Sequence, residues 1–317
     1  MGLLACLIAV PLVAAALLLA FRGERERGVI TIAAAGLTAA LSLAVAGAFF
    51  TSLPVSFELP RETSYIISWV MTGVDLVLCA VILFNAVRHK NLVALALGLV
   101  QTVGIVLFAQ MTLGEGPHHM IAEPLYIDTL SIVMVLIVGL VGSAICVYAL
   151  GYMKDFQHHE PADAPDRRHA FAALMFAFLA AMFVIVLTDN LEWLFTGWEV
   201  TTVCSFLMIG YTRTPEAIKN SFIQINLNMV GGLAFLAALI GLVVAGQPLS
   251  FTAMIAAATG PEASLFVVPL MLLSLAGLTK AAQMPFHPWL LGAMVAPSPP
   301  VRFCTPPRWS KPASSCW

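Results

Sequence analysis

The hydrophobic residues of this chain are gathered into long runs separated by short polar links. A helix needs about 20 mostly apolar residues to cross a lipid bilayer. Nine runs reach roughly this length, at 3–21, 29–50, 65–87, 92–113, 127–150, 170–188, 191–211, 222–245 and 264–283. A tenth, shorter apolar piece covers 286–296. The pattern therefore predicts an all-α, polytopic transmembrane helix bundle with about nine full spans and one broken helix.

The composition agrees with a protein that lives in a lipid bilayer. Of the 317 residues, 60% are hydrophobic and 10% are charged, whereas soluble domains carry about 25% charged residues. The formal net charge is −2, so nothing in the sequence favours nucleic acid as a partner.

The basic residues are distributed unevenly over the links, and this predicts an orientation. Ten of them lie in alternate links: Arg22, Arg25, Arg27, Arg88, Lys90, Lys154, Arg167, Arg168, Arg213 and Lys219. The links on the opposite side contain only Arg61. Because cytoplasmic loops collect Lys and Arg, the N-terminus is predicted to lie outside, in a multi-pass protein of the cell inner (plasma) membrane.

Few ionisable residues lie deep inside the predicted spans. Glu199 is near the middle of the seventh span, Lys280 near the end of the ninth and Asp75 near the middle of the third. A charge at the bilayer centre costs about 2.5–3.5 kcal/mol on insertion scales, and such residues usually face a cavity or a partner. Asp128 and Glu192 lie close to span ends, where their side chains are expected to reach the headgroups.

Each of the deep residues also has a structural interpretation. Glu199 could pair with a neighbouring protein in an assembly, and Asp75 has no motif around it that favours function over an interface. Lys280 could extend its ammonium to the membrane surface. However, the apolar stretch continues to about Val295, which predicts that Lys280 lies inside the membrane.

Two prolines predict a helix break beside Lys280. Pro285 and Pro288 lack backbone donors, and each clashes with a carbonyl one turn earlier. Broken backbone at membrane depth is tolerated where it is buried in protein or lines water. A lysine at such a break, approached by Glu199, could gain and lose a proton in step with it. Glu199 and Lys280 at the break therefore predict a proton relay. Moving one charge through 100 mV in such a relay is worth about 2.3 kcal/mol.

Three segments resemble a known family. GWEVTTVCSFLMIGY at 197–211, GLTKAAQMPFHPWLLGAMVAPSP at 277–299 and LYIDTLSIVMVLIVGLVGSAICVYALGYM at 125–153 are similar to antiporter-like membrane subunits. These are the L-type subunit of NADH-quinone oxidoreductase (complex I), the A-type subunit of multisubunit Na⁺/H⁺ antiporters and membrane subunits of energy-converting hydrogenases. The resemblance implies a proton-translocating domain at 124–300, preceded by four further spans at 1–123, of which the third and fourth look like an additional pair.

The resemblance also implies roles for individual residues. Glu199 corresponds to the family's functional glutamate, Lys280 to the lysine of the broken helix and Pro285 to the break itself. The partners implied are other membrane subunits, and the transported ions are protons and, in the antiporters, Na⁺. The segment MVGGLAFL at 229–236 has glycines where complex I subunits tend to carry Arg and Asp, which leaves the subtype open.

No cofactor is expected on this chain itself. The sequence has no glycine-rich dinucleotide fingerprint and no cysteine cluster, so any redox chemistry of an NADH-quinone oxidoreductase assembly would belong to partner subunits. An alternative of another class is a non-transporting membrane scaffold or an inactive fragment.

The last residues change character after Pro300. In the family, MVAPSP continues into a helix such as VSALLHSATMVKAGVYLL, whereas this chain continues PVRFCTPPRWSKPASSCW. Read one base early, the codons for 302–317 can encode LLHSATMVKAGVFLL. The sequence thus predicts an aberrant, out-of-frame tail at 301–317, produced by a frameshift near residue 301 that truncates the translocating domain.

Overall fold

The computed structural model describes residues 1–114, 121, 123–158, 166–260 and 263–297. The predicted out-of-frame tail at 301–317 lies outside these residues. The elements below are numbered in chain order.

The described chain is a bundle of α-helices. The helices are α1 Gly2–Ala20, α2 Glu24–Phe49, α3 Arg61–Arg88, α4 Leu92–Leu113, α5 Thr129–Leu136, α6 Gly142–His158, α7 Arg168–Leu187, α8 Leu191–Ile209, α9 Pro215–Val244, α10 Phe251–Ala258, α11 Ala263–Lys280 and α12 Pro288–Gly292. A π-helical turn, Ile137–Val141, joins α5 to α6 in one continuous rod, and a 3-10 turn, Ala293–Val295, follows α12.

Within the described residues, eight of these rods are long and apolar enough to cross a membrane. The remaining predicted span, the seventh, corresponds to α8, which has 19 residues but carries several polar side chains that lower its hydropathy. Because α8 is surrounded by protein, these polar groups avoid lipid. The predicted all-α polytopic bundle is confirmed.

A small β-ribbon at one end of the bundle was not predicted. Strands β1 Val55–Phe57 and β2 Leu125–Ile127 pair antiparallel. Beside the ribbon, isolated bridges join Leu125 to Thr188 and Asn190 to Ser250. Strands of three residues are too short to show a clear alternation of polar and apolar positions. The ribbon and bridges connect the links that are poor in Lys and Arg, and they fix the N-terminus of α8.

Helix α8 occupies the centre of the described bundle. It packs against α3, α7 and α9, and α9 in turn packs against α4 and α11. Apolar side chains such as Trp69 and Phe84 on the outer face of α3 are exposed, as expected for surfaces that face lipid. The polar residues of α8 therefore lie where neighbouring helices meet.

Candidate functional site

Glu199 lies in the middle of α8 and is 1% exposed. Neither carboxylate oxygen accepts a hydrogen bond of normal geometry from the described residues, although the side-chain amide of Gln101 on α4 lies beside it. Leaving a buried polar group without a partner costs about 1–3 kcal/mol, and more for a charged one. An acid kept in this state through folding is a candidate for binding a proton.

Two glycines of α9 allow this helix to approach the site closely. A Cβ atom on Gly232 would collide with Oε1 of Glu199, and one on Gly231 would collide with the hydroxyl of Thr279 on α11. Glycine lacks this atom and so permits close helix–helix approach. These glycines belong to the segment MVGGLAFL at 229–236, and their structural part is to bring α8, α9 and α11 together.

Lys280 is the last residue of α11, and its side chain is directed at α8. The ammonium donates hydrogen bonds to the carbonyl oxygen of Trp198 at 3.0 Å and to Oγ1 of Thr202 at 2.6 Å. It also lies 5.1 Å from the centroid of the Trp198 ring, within the range of a cation–π interaction. Lys280 is half-buried, and these contacts hold its ammonium against the middle of α8.

Lys280 of α11 contacts α8 beside Glu199, but the two side chains do not form a direct ion pair. Lys280 binds to the residues at positions 198 and 202, which flank Glu199 on the same helix. The described residues contain no ion pair within 4.0 Å between these two side chains. Because Lys280 contacts residues next to Glu199 on α8, a change of charge at one group alters the electrostatic potential at the other.

The helix break follows Lys280 immediately. Ala282 has a positive φ of 52°, and α12 begins at Pro288, where proline's missing N–H is not needed. The indole N–H of Trp289 donates to the carbonyl oxygen of Thr279 at 2.9 Å and ties α12 back to the end of α11. Pro285 lies in the intervening turn and is exposed.

The expectation for Glu192 was wrong, because this side chain is 4% exposed instead of reaching the headgroups. Ser68 on α3 donates to its Oε2 at 2.9 Å, and the Trp193 indole donates to the same Ser68 hydroxyl at 3.0 Å. The cause is α3, which packs against α8 and covers this side chain. Asp128 instead caps α5 by accepting a hydrogen bond from the Ser131 amide at 2.7 Å.

Asp75 joins the site from α3. It is 4% exposed, and Oγ1 of Thr196 on α8 donates to its Oδ2 at 2.8 Å. Its Oδ1 has no hydrogen-bond partner among the described residues. The spacing of four, four and three residues along α3 places a stripe of buried polar residues on one helical face, a signal that the sequence analysis missed. The stripe consists of Ser64, Ser68, Thr72 and Asp75.

Cavities lie at both ends of this arrangement. One of about 580 Å³ borders Glu192 and the link Gly246–Leu249, at the end poor in basic residues. The other, of about 450 Å³, is at the basic end and is lined by Arg88, Arg167 and Tyr211, among others.

The comparison with protein families identifies this architecture. Residues 188–305 match the family described as "NADH:quinone oxidoreductase/Mrp antiporter, TM". Residues 120–161 match the one described as "NADH-Ubiquinone oxidoreductase (complex I), chain 5 N-terminus". Together they make up about half of the chain. The chain belongs to the antiporter-like membrane subunits of complex I and Mrp. The resemblance inferred from the sequence is thereby confirmed.

Among curated relatives, Na⁺/H⁺ antiporter subunit A1 proteins match this member of the complex I and Mrp family. The protein from Staphylococcus haemolyticus (strain JCSC1435) is 35% identical over 190 residues, which are 59% of this chain and 22% of the relative. The protein from Staphylococcus aureus (strain Newman) is 32% identical over 190 residues, or 59% of this chain and 23% of the relative. The chain thus spans less than a quarter of their length.

The family matches divide the site into two parts. Glu199, Lys280 and the prolines of the break lie within the matched stretches, whereas α3 and α4, with Asp75 and Gln101, precede residue 120. As a member of the complex I and Mrp family, the chain is a multi-pass protein of the inner membrane.

Proposed function

We propose that this chain is a proton-translocating, antiporter-like subunit in which Glu199 and Lys280 form the relay. The observation that carries the proposal is a buried carboxylate with no well-aligned donor among the described residues, beside a lysine held by neutral acceptors. Ionisable groups are rare in membrane helices, and those present usually mark ion or proton pathways. The proposed translocating domain is 124–300, preceded by the N-terminal helices of 1–123.

The geometry supports a simple charge-coupled step. Lys280 is held by a carbonyl and a hydroxyl, which leaves the Glu199 carboxylate available to a proton. When Glu199 is ionised, it attracts the ammonium and favours the charged lysine; when it takes a proton, that attraction disappears. The lysine can then release its proton along the path. Each protonation thereby biases the next.

We propose the complex I type of assembly as the main setting and the A-type subunit of a multisubunit Na⁺/H⁺ antiporter as the alternative. The family description at 120–161 names complex I and supports the first. The description at 188–305 names both NADH:quinone oxidoreductase and the Mrp antiporter, and the names of the Staphylococcus relatives support the second. A membrane subunit of an energy-converting hydrogenase is a further alternative. In each setting the partners would be neighbouring membrane subunits.

Proton flux in proteoliposomes containing the assembly with this chain tests the proposal. Glu199→Gln and Lys280→Ala each should reduce flux at least tenfold, because each removes one proton-binding group of the relay. Asp128→Asn is the matched control, since Asn can still cap α5. Flux at the unmutated rate in both variants would favour a non-transporting scaffold instead.

The same vesicles separate the two main settings. A Na⁺ gradient should drive proton movement if the chain acts as the A-type subunit of a Na⁺/H⁺ antiporter. Movement that responds to quinone reduction by NADH, and not to Na⁺, would place it in the complex I type of assembly.

A further inference from the structure

Helices α3 and α4 lie outside the stretches that match the family, yet they pack directly on its central helices. Helix α3 contacts α8, and α4 contacts α9. They place Asp75 and Gln101 beside the relay, both nearly inaccessible at 4% and 1% exposure. An additional helix pair serving only as packing would be expected to present apolar or small residues here.

The contact between α3 and α8 is lined by polar groups from both helices. On α8, Glu192, Thr196 and Glu199 follow one another at spacings of four and three residues, which places them on one face. Ser68 on α3 donates a hydrogen bond to Glu192, and Thr196 donates one to Asp75 on α3. The polar groups therefore alternate between the two helices along their common axis.

Three acids in this seam between α3 and α8 have carboxylate oxygens without a hydrogen-bond partner among the described residues. The oxygens are Oδ1 of Asp75, Oε1 of Glu192 and both oxygens of Glu199. Buried polar atoms are nearly always hydrogen-bonded, and exceptions call for an explanation. Glu192 also borders the cavity of about 580 Å³ at the end poor in basic residues, so the series begins at a space that can hold water.

We propose that α3 supplies a second proton-conducting branch, running from this cavity through Glu192, Thr196 and Asp75 to Glu199. The inference rests on the proposed function, since it gives the relay an access route to the side of the membrane opposite the basic links. From Glu192 to Glu199 the branch extends about 10 Å along the helix axis, at 1.5 Å per residue, with Asp75 between them.

Only protons move along the branch. A proton leaves the carboxyl group of one acid and is taken up by the carboxylate of the next, so that the donor becomes ionised and the acceptor neutral. The Thr196 hydroxyl, which donates to Asp75, can pass a proton on while receiving another. No bond other than O–H forms or breaks, and no electron is transferred.

A purely structural seam makes the opposite predictions for two substitutions. Asparagine preserves the hydrogen bond from Thr196 to position 75. Glutamate is longer and disturbs packing, but it keeps a proton-binding carboxyl. A structural role is therefore preserved by Asp75→Asn and impaired by Asp75→Glu, whereas conduction is impaired by the first and retained by the second.

Proton flux in proteoliposomes containing the assembly with this chain tests the branch. We expect Asp75→Asn to lower flux at least tenfold, Asp75→Glu to keep at least one third of it, and Asp128→Asn to match the unmutated protein. Normal flux in Asp75→Asn, while Glu199→Gln is inactive, would overturn the branch and leave the relay intact. Normal flux in both would overturn the two proposals together.

A second variant covers the case in which Asp75→Asn does not assemble. Thr196→Val keeps all three acids and nearly the same side-chain shape, but it removes the hydroxyl between Glu192 and Asp75. We expect at least a fivefold loss of flux with normal assembly. Unchanged flux in this variant would show that protons do not pass along this face of α8.

Discussion

Glu199 and Lys280 are held by different means, and this difference makes them useful as a pair. The ammonium has two neutral acceptors and an aromatic face, so its position does not depend on the charge of the acid. The carboxylate has close packing but no donor of normal geometry among the described residues. Its proton can therefore come and go without dismantling the contacts around it.

Gly232 gives a direct test of the close packing around Glu199. In Gly232→Ala the new methyl group would overlap Oε1 of Glu199, so α9 or the carboxylate must move. We expect proton flux to fall at least fivefold and the melting temperature to drop, since overpacking costs about 1–3 kcal/mol. Gly241→Ala on the same helix meets no atom within 4 Å and should lower neither, since alanine is the better helix former. Equal behaviour of the two variants would contradict the close approach.

At the scale of elements, the order of helices followed from the sequence while their contacts did not. Uninterrupted apolar runs are enough to predict membrane helices. An ionisable residue within such a run marks a candidate functional residue, and Glu199 and Lys280 are found in this way. The pairing of Asp75 with Thr196 joins residues 121 positions apart, which periodicity does not encode. Glu192 was misplaced for the same reason, because its position near a helix end does not reveal that α3 covers it.

The link before α7 carries a prediction about stability and pH. Asp166 accepts hydrogen bonds from the Arg168 guanidinium at 2.8 and 2.9 Å. These bonds, opposed by partial burial, lower the pKa of Asp166 to about 2. Because the folded pKa lies below the unfolded value of about 3.9, the contact stabilises the fold above about pH 4 and is lost as pH falls towards about 2.

Thermal unfolding in detergent measures this effect. Asp166→Asn should lower the melting temperature slightly at neutral pH, since the Asp166 side chain is 42% exposed and solvent weakens such pairs. The difference from the unmutated protein should shrink as pH falls below about 4. A constant difference down to the lowest pH at which the protein stays folded would mean that the charge of Asp166 does not stabilise this link.

At the scale of the whole molecule, the site lies between two cavities at opposite ends of the bundle. The basic end has arginines around its cavity, and the other end has Glu192 and the ribbon-bound links. The ten-to-one distribution of basic residues predicts that the first faces the cytoplasm. Glu199 lies on the central helix between the two cavities, and Lys280 contacts that helix from α11. A path across the membrane requires such a position.

The central claim is that Glu199 and Lys280 act as one unit, and a double-mutant cycle on proton flux tests it most directly. Flux would be measured in proteoliposomes for the unmutated assembly, Glu199→Gln, Lys280→Ala and the double variant. Residues that work as a unit give strongly non-additive effects. We predict that the double variant is no slower than the slower single variant. Multiplied losses, or full flux in either single variant, would contradict the account.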